Sequence, residues 1–150
     1  MKNFLYACFG AVFLLSSCQQ AEEKSPESTK ATDKNLTTTP CDFISTDSAT
    51  AQKLLLGEWD LAGIKTNSMG AKPDEFLTGG DIGTPKGLAF YSNNEFEESV
   101  NGQNQGERQK YELDGQSITP LASQFWFCGD DMLVLSNVAA DGPTEVYIRK

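Results

Sequence analysis

Four cysteines, two adjacent carboxylate pairs in the second half of the chain and a complete lack of histidine set the chemistry open to this sequence. Without imidazole there is no Ser-His or Cys-His nucleophile pair, no histidine general base and no zinc site built on ring nitrogens. The pairs are Glu97-Glu98 and Asp130-Asp131. Adjacent residues on a strand point to opposite faces, so Glu97 and Glu98 cannot converge on one proton or one ion. Asp130-Asp131 follows Gly129 and reads as turn chemistry, and its surroundings lack the ligand spacing of a calcium loop. There is no Cys-x-x-Cys and no glycine-rich phosphate loop after a strand. The expectation is a protein that is not an enzyme, with no catalytic residue, metal or cofactor.

Charge narrows the partners. Lys plus Arg is 12 and Asp plus Glu is 21, a net charge of −9, which argues against nucleic acid because phosphate backbones need clustered Lys and Arg. Hydrophobic residues at 39% and charged residues at 22% are ordinary for a folded chain, and 150 residues suit one domain.

The N-terminus reads as a targeting segment. Lys2 is followed by a nearly unbroken apolar run, Phe4 to Leu15, too short to span a bilayer comfortably and suited to a secretory signal. Leu15-Ser16-Ser17-Cys18 resembles the lipobox of bacterial lipoproteins. The resemblance implies a signal peptide over 1–17, cleavage before Cys18 and lipidation of Cys18, giving a lipid-borne hold on the membrane. Residues 18–40 are rich in Gln, Glu, Lys, Ser and Thr and read as a flexible tether, since they hold too little apolar surface to offset their ordering entropy. Gln20-Ala21-Glu22-Glu23 resembles an export signal that carries some lipoproteins of Gram-negative bacteria to the outer face of the outer membrane; the plainer reading is a solvated acidic linker.

On that reading Cys8 leaves with the signal and Cys18 carries lipid. Cys41 and Cys128 remain, and two thiols in an exported domain are expected to pair. The bridge would pin the start of the domain, residues 41–150, to a late strand.

The elements needed to position these residues are mostly strands. Asp47 to Leu56 has helical character, with Asp47 or Ser48 as its cap. Period-two alternation then marks Glu58–Ile64, Gly87–Tyr91, Glu95–Val100, Lys110–Leu113, Ser123–Cys128, Met132–Val138 and Thr144–Arg149. Asn93-Asn94, Asp114-Gly115, Gly129-Asp130-Asp131 and Asp141-Gly142-Pro143 read as turns, with both residues of Asp114-Gly115 expected at positive φ. Counting Gln116–Thr119 gives about eight strands in consecutive hairpins, an all-β antiparallel up-and-down meander that closure into a barrel would free of edges. The connection Lys65–Lys86 is long and glycine-rich, and Phe76, Leu77 and Ile82 are the residues in it able to dock.

Gly57-Glu58-Trp59, directly after the helical turn, resembles the Gly-x-Trp signature of lipocalin-like proteins. The resemblance covers about Leu54 to Lys150 and is close to short lipocalin-like domains of bacterial lipoproteins. It implies a barrel, a large first loop over the mouth at Lys65–Lys86, and Arg149 packed across Trp59, a favourable cation–π contact. Envelope domains related to heat-shock and META-type lipoproteins also begin with Gly-x-Trp, but their Gly-Cys-Asn segment is absent here.

Two functions follow as expectations. The first is an envelope-anchored binding protein for a small apolar ligand, with Phe90, Phe96, Tyr111, Phe125 and Phe127 facing it and Lys65–Lys86 as lid. The alternative is a barrel filled by these same aromatics, acting through its outer surface on another envelope protein. Trp126, opposite Phe125 and Phe127, is either second-side core or an exposed contact.

Overall fold

A computed structural model describes residues 39–67 and 76–150 of the chain. The signal reading over 1–17, lipidated Cys18, the tether to residue 38 and residues 68–75 of the long connection lie outside the described residues.

After an extended entry segment, Asp47 caps helix α1 (Ser48–Leu55), its side chain accepting from the Thr50 amide at 3.0 Å. Hydrogen bonding from the Thr50 side chain, and then from its amide, holds the Asp47 carboxyl below its ordinary range. Ala51 and Leu55, one helical turn apart, are the buried face. The sheet follows as β1 (Gly57–Lys65), β2 (Phe76–Thr78), β3 (Lys86–Tyr91), β4 (Glu95–Val100), β5 (Gln103–Asn104), β6 (Gln109–Lys110), β7 (Glu112–Asp114), β8 (Ser117–Thr119), β9 (Ser123–Phe127), β10 (Met132–Ser136) and β11 (Thr144–Arg149). All pairings are antiparallel. The order is β5-β4-β3-β1-β11-β10-β9-β8-β7, with β2 also on β1 and β6 also on β4.

The sheet curls into a half-barrel around one apolar face. Strand β1 is central: Trp59 pairs with Arg149 of β11 on one side and with Leu88 of β3 on the other. A register shift between Leu61 and Gly63 bends it, as an extra residue in one strand must. Trp59, Leu88, Phe90, Phe96, Tyr111, Ile118, Phe125, Phe127, Leu133, Leu135 and Tyr147 fill the inner face, with Ala51 and Leu55 of α1 packed among them. On the outer face Met132, Val134 and Val146 form a smaller cluster, flanked by Phe76, Trp126, Cys128 and Ile148. The two sets come from alternate positions of the same strands, as the pleat requires.

The sequence reading and the structure part in four places. Eleven short strands stand in the described residues where about eight were expected, arranged as a curled half-barrel. The run Lys110–Leu113 is not one strand: Gln109 and Lys110 pair with β4, Tyr111 donates its amide to Asn94 at 2.9 Å, and Glu112–Asp114 pair with β8. Part of the expected loop is sheet, because Leu77 pairs with Ile64 and the Phe76 ring occupies the space left by Gly63, which has no Cβ. The β7–β8 hairpin also turns one residue later than read. Asp114 pairs with Ser117, leaving Gly115-Gln116 as the loop, and of the two only Gly115 takes positive φ, at 58°.

Candidate functional site

Inside the half-barrel, the residues expected to face a ligand face one another. Phe90 stacks on Phe96 at 5.8 Å between centroids and meets Tyr111 edge-on at 5.3 Å; Phe125 meets Phe127 at 5.9 Å, and Trp59 lies 6.4 Å from Phe127. All are buried, with Trp59 and Phe96 at 1% exposure and Phe125 at 0%. These spacings are those of favourable aromatic pairs and leave no room for a molecule between the rings. The hollow at the open end is about 100 Å³, floored by Leu88, Leu121 and Leu135 and rimmed by Glu98, Ser123 and Glu145. There Tyr147 donates its hydroxyl to Glu145 at 2.9 Å, and Glu145 pairs with Lys86 at 3.1 Å. Burial, reinforced by the Glu145 carboxylate, pushes the Tyr147 hydroxyl far above its ordinary range.

The closed end is built by the barrel-signature residues. Helix α1 leaves its last carbonyls without partners, as every helix does. Trp59 Nε1 donates to Leu55 at 2.8 Å, and Arg149 donates to Leu54 and to Leu56, each at 2.6 Å. The Arg149 guanidinium lies 4.2 Å from the Trp59 ring centroid and reaches Asp130 O through Nε at 2.8 Å. A cation at a helix C-terminus also complements the dipole. Gly57 makes room: its φ is +116°, and a Cβ there would stand 3.1 Å from Arg149 Nη1. These residues hold the helix onto the sheet.

The carboxylate pairs separate as the pleat dictates. Glu97 accepts the Tyr91 hydroxyl and, at 3.2 Å, Arg108 Nε, while the Arg108 guanidinium covers the Tyr91 ring at 3.8 Å. The Tyr91 hydrogen bond holds the Glu97 carboxyl low and, reciprocally, raises the Tyr91 hydroxyl. Glu98 lies opposite Leu88, at the mouth. Asp130 and Asp131 serve through their carbonyls, which accept from Arg149 Nε and the Arg149 amide. Among the described residues, no three Cys, Asp or Glu side chains converge as a metal site would need.

The outer face carries features that sequence reading missed. The Cys41–Cys128 disulfide forms as expected; what was missed is the segment after it, which lies along the edge of the outer cluster, against Trp126, as a strap. Trp126 Nε1 donates to Cys41 O at 3.1 Å, and Phe43 meets the Trp126 ring edge-on at 5.7 Å. Trp126 is thus half-buried beneath the strap. At the far end the Gln116 side chain imitates a strand: it accepts from the Thr46 amide at 3.2 Å and donates to Thr46 O at 2.5 Å. Between these anchors Phe43 is 52% exposed and Ile44 53%. The signal available in the sequence was the apolar pair Phe43-Ile44, isolated among polar residues directly after Cys41.

Comparison of the chain with family models, with curated proteins and with solved structures gives no match.

Proposed function

We propose that this chain is a lipid-anchored protein of the bacterial cell envelope whose lipocalin-like barrel is filled by its own side chains and which acts through its outer surface on another macromolecule. One observation carries the reading: Trp59, Phe90, Phe96, Tyr111, Phe125 and Phe127 occupy the inside of the half-barrel at aromatic contact distances. Sites for molecules of a few hundred daltons are usually about 300–1,000 Å³, well above the hollow at the mouth of about 100 Å³; a cleft of about 320 Å³ beside Ser123 and Ser136 is lined by none of the inner aromatics. The packing therefore favours the filled barrel over a carrier of a small apolar ligand. We read the curled sheet as a barrel joined through the strand around Tyr111, supported by Gln109–Lys110 pairing with β4 and Glu112–Asp114 with β8. The lipobox-like Leu15-Ser16-Ser17-Cys18 supports the anchor and an outer-membrane place, and Gln20-Ala21-Glu22-Glu23 supports display on the outer face.

Native mass spectrometry of the full chain, extracted in detergent from the bacteria that export it, tests both halves. The expected mass is that of a chain beginning at Cys18 with covalent acyl chains and one disulfide, and nothing else bound. An unacylated chain removes the anchor. An added mass of a few hundred daltons that leaves on unfolding restores the small-ligand reading.

A further inference from the structure

We infer that a cleft on the outer face, formed by β8, β9 and the turn after β10, is a binding site for a neutral glycan chain. The inference names the partner class of the proposed outer-surface function and rests on that reading. Three observations carry it.

The first is the cleft itself. It measures about 320 Å³, at the lower end of the range for sites that take small molecules. Ser117 of β8 pairs with Gln124 of β9, and Gln124 pairs with Ser136 of β10, so these three form one row across the sheet. Their neighbours Ile118, Phe125 and Leu135 point into the core, which puts the row on the outer face. Strand β8 lies between β7 and β9, so the cleft offers side chains and not an open strand edge.

The second is the chemistry of the lining. Ser117, Thr119, Ser123 and Ser136 bring hydroxyls, and Gln124 and Asn137 bring carboxamides. No charged residue lines the cleft, in a chain whose residues are 22% charged. A charged ligand would find no counter-charge there and would lose water without compensation. A wholly apolar ligand would strip water from the hydroxyls and amides and leave them unpaired. A neutral, polyhydroxylated ligand avoids both costs. Each sugar hydroxyl donates and accepts, and the lining hydroxyls and carboxamides do the same. Ala122 and Ala139 complete the lining with apolar surface suited to the C–H face of a sugar ring.

The third is hydrogen-bonding capacity held open. Ser123 Oγ donates to Leu121 O at 2.9 Å, which leaves its lone pairs as acceptors. Thr144 Oγ1 accepts from Asn67 at 3.4 Å and lies 3.2 Å from Ser136 Oγ. With Thr144 donating to Ser136, the Ser136 hydrogen is left for the cleft. Among the described residues, the side chains of Ser117, Thr119, Gln124 and Asn137 make no hydrogen bond within the protein. Ala122 is held at φ +50°, a left-handed conformation unusual for a residue with a Cβ, and such backbone gathers at binding sites. One open cleft of this size binds weakly. A repeating chain gains by engaging several copies confined to one surface, which favours a glycan over a free sugar.

The test is a nuclear magnetic resonance titration of the isotope-labelled full chain, in a detergent without a sugar headgroup. The probes are linear neutral hexasaccharides of glucose, mannose, galactose and N-acetylglucosamine. The expected result is saturable shifts of the Gln124 and Asn137 side-chain amides with at least one of these probes. The affinity should be the same at low and high salt, because no charge lines the cleft. Gln124→Ala, at an exposed position, should weaken binding about fivefold with its melting transition unchanged. No shift with any probe, shifts centred away from the cleft, affinity that falls with salt, or unchanged affinity in Gln124→Ala would each overturn the inference. Its failure is separable from that of the proposed function. A cleft that titrates in a chain whose native mass includes a bound small molecule removes the filled interior and leaves the glycan site standing. A ligand-free, acylated chain that no probe shifts does the reverse.

Discussion

On the inner face, Trp59, Phe90, Phe96, Tyr111, Phe125 and Phe127 close on one another beneath helix α1, and every one is buried. On the outer face, Met132, Val134 and Val146 are the buried cluster, and around them the strap is held by one disulfide and a few side-chain hydrogen bonds. The same strands build both faces. The inner one is closed by curvature and a helix; the outer one depends on a segment that never joins the sheet. The comparison teaches that a curled sheet satisfies its concave side with its own residues, while its convex side must recruit cover from elsewhere in the chain.

The sharpest way to break that contrast is to remove its centre. Trp59→Ala should cost about 3–5 kcal/mol, because it empties a fully buried site and frees the Leu55 carbonyl and the Arg149 guanidinium at once. Urea unfolding measures it, and a loss below about 1 kcal/mol would mean that the inner face is not the main source of stability.

Opening the outer face should cost less. Replacing Cys41 and Cys128 together by serine removes a link across 87 residues and should lower stability by about 2–4 kcal/mol. Proteolytic cleavage within residues 42–46 should accelerate, while the near-ultraviolet circular dichroism of the inner aromatics persists in the folded state. If that signal collapses with the bridge, the two faces are a single cooperative unit and the contrast fails.

The smallest expected effect is alkaline. The folded state raises the Tyr147 hydroxyl far above its unfolded value of 10.0. Its contribution is therefore complete below pH 10.0 and falls as the pH rises beyond it, because the unfolded chain then releases a proton that the folded chain keeps. Unfolding midpoints measured on both sides of this value should fall above it. Tyr147→Phe should flatten the decline, and Tyr91, Tyr111 and Lys150, all also raised, contribute to the slope that remains. An identical slope in the variant would place Tyr147 in contact with water.

Much of this architecture is legible in the sequence because strand alternation is a local property. Glu95–Val100 and Thr144–Arg149 read directly as strands with the observed limits, and the Asp47 cap marks the start of the helix. The division at Tyr111 is not legible, since Gln109–Lys110 and Glu112–Asp114 differ only in which distant strand offers them hydrogen bonds. The aromatics Phe90, Phe96, Tyr111, Phe125 and Phe127 were identifiable as inward-facing, but whether they would line a space or fill it depended on the curvature of the sheet. The strap left little trace: Phe43 and Ile44 have no periodic neighbours, and Gln116 carries no mark of its pairing with Thr46, 70 residues away.

The sequence by itself determined the faces of the strands, the position of the helix and the kinds of chemistry closed to this chain, because each follows from residue type and spacing of a few positions. Only the tertiary structure decided that the inner face is full and that the strap lies against Trp126. Both depend on distances between segments far apart in the chain, and those distances are set by packing of the whole sheet.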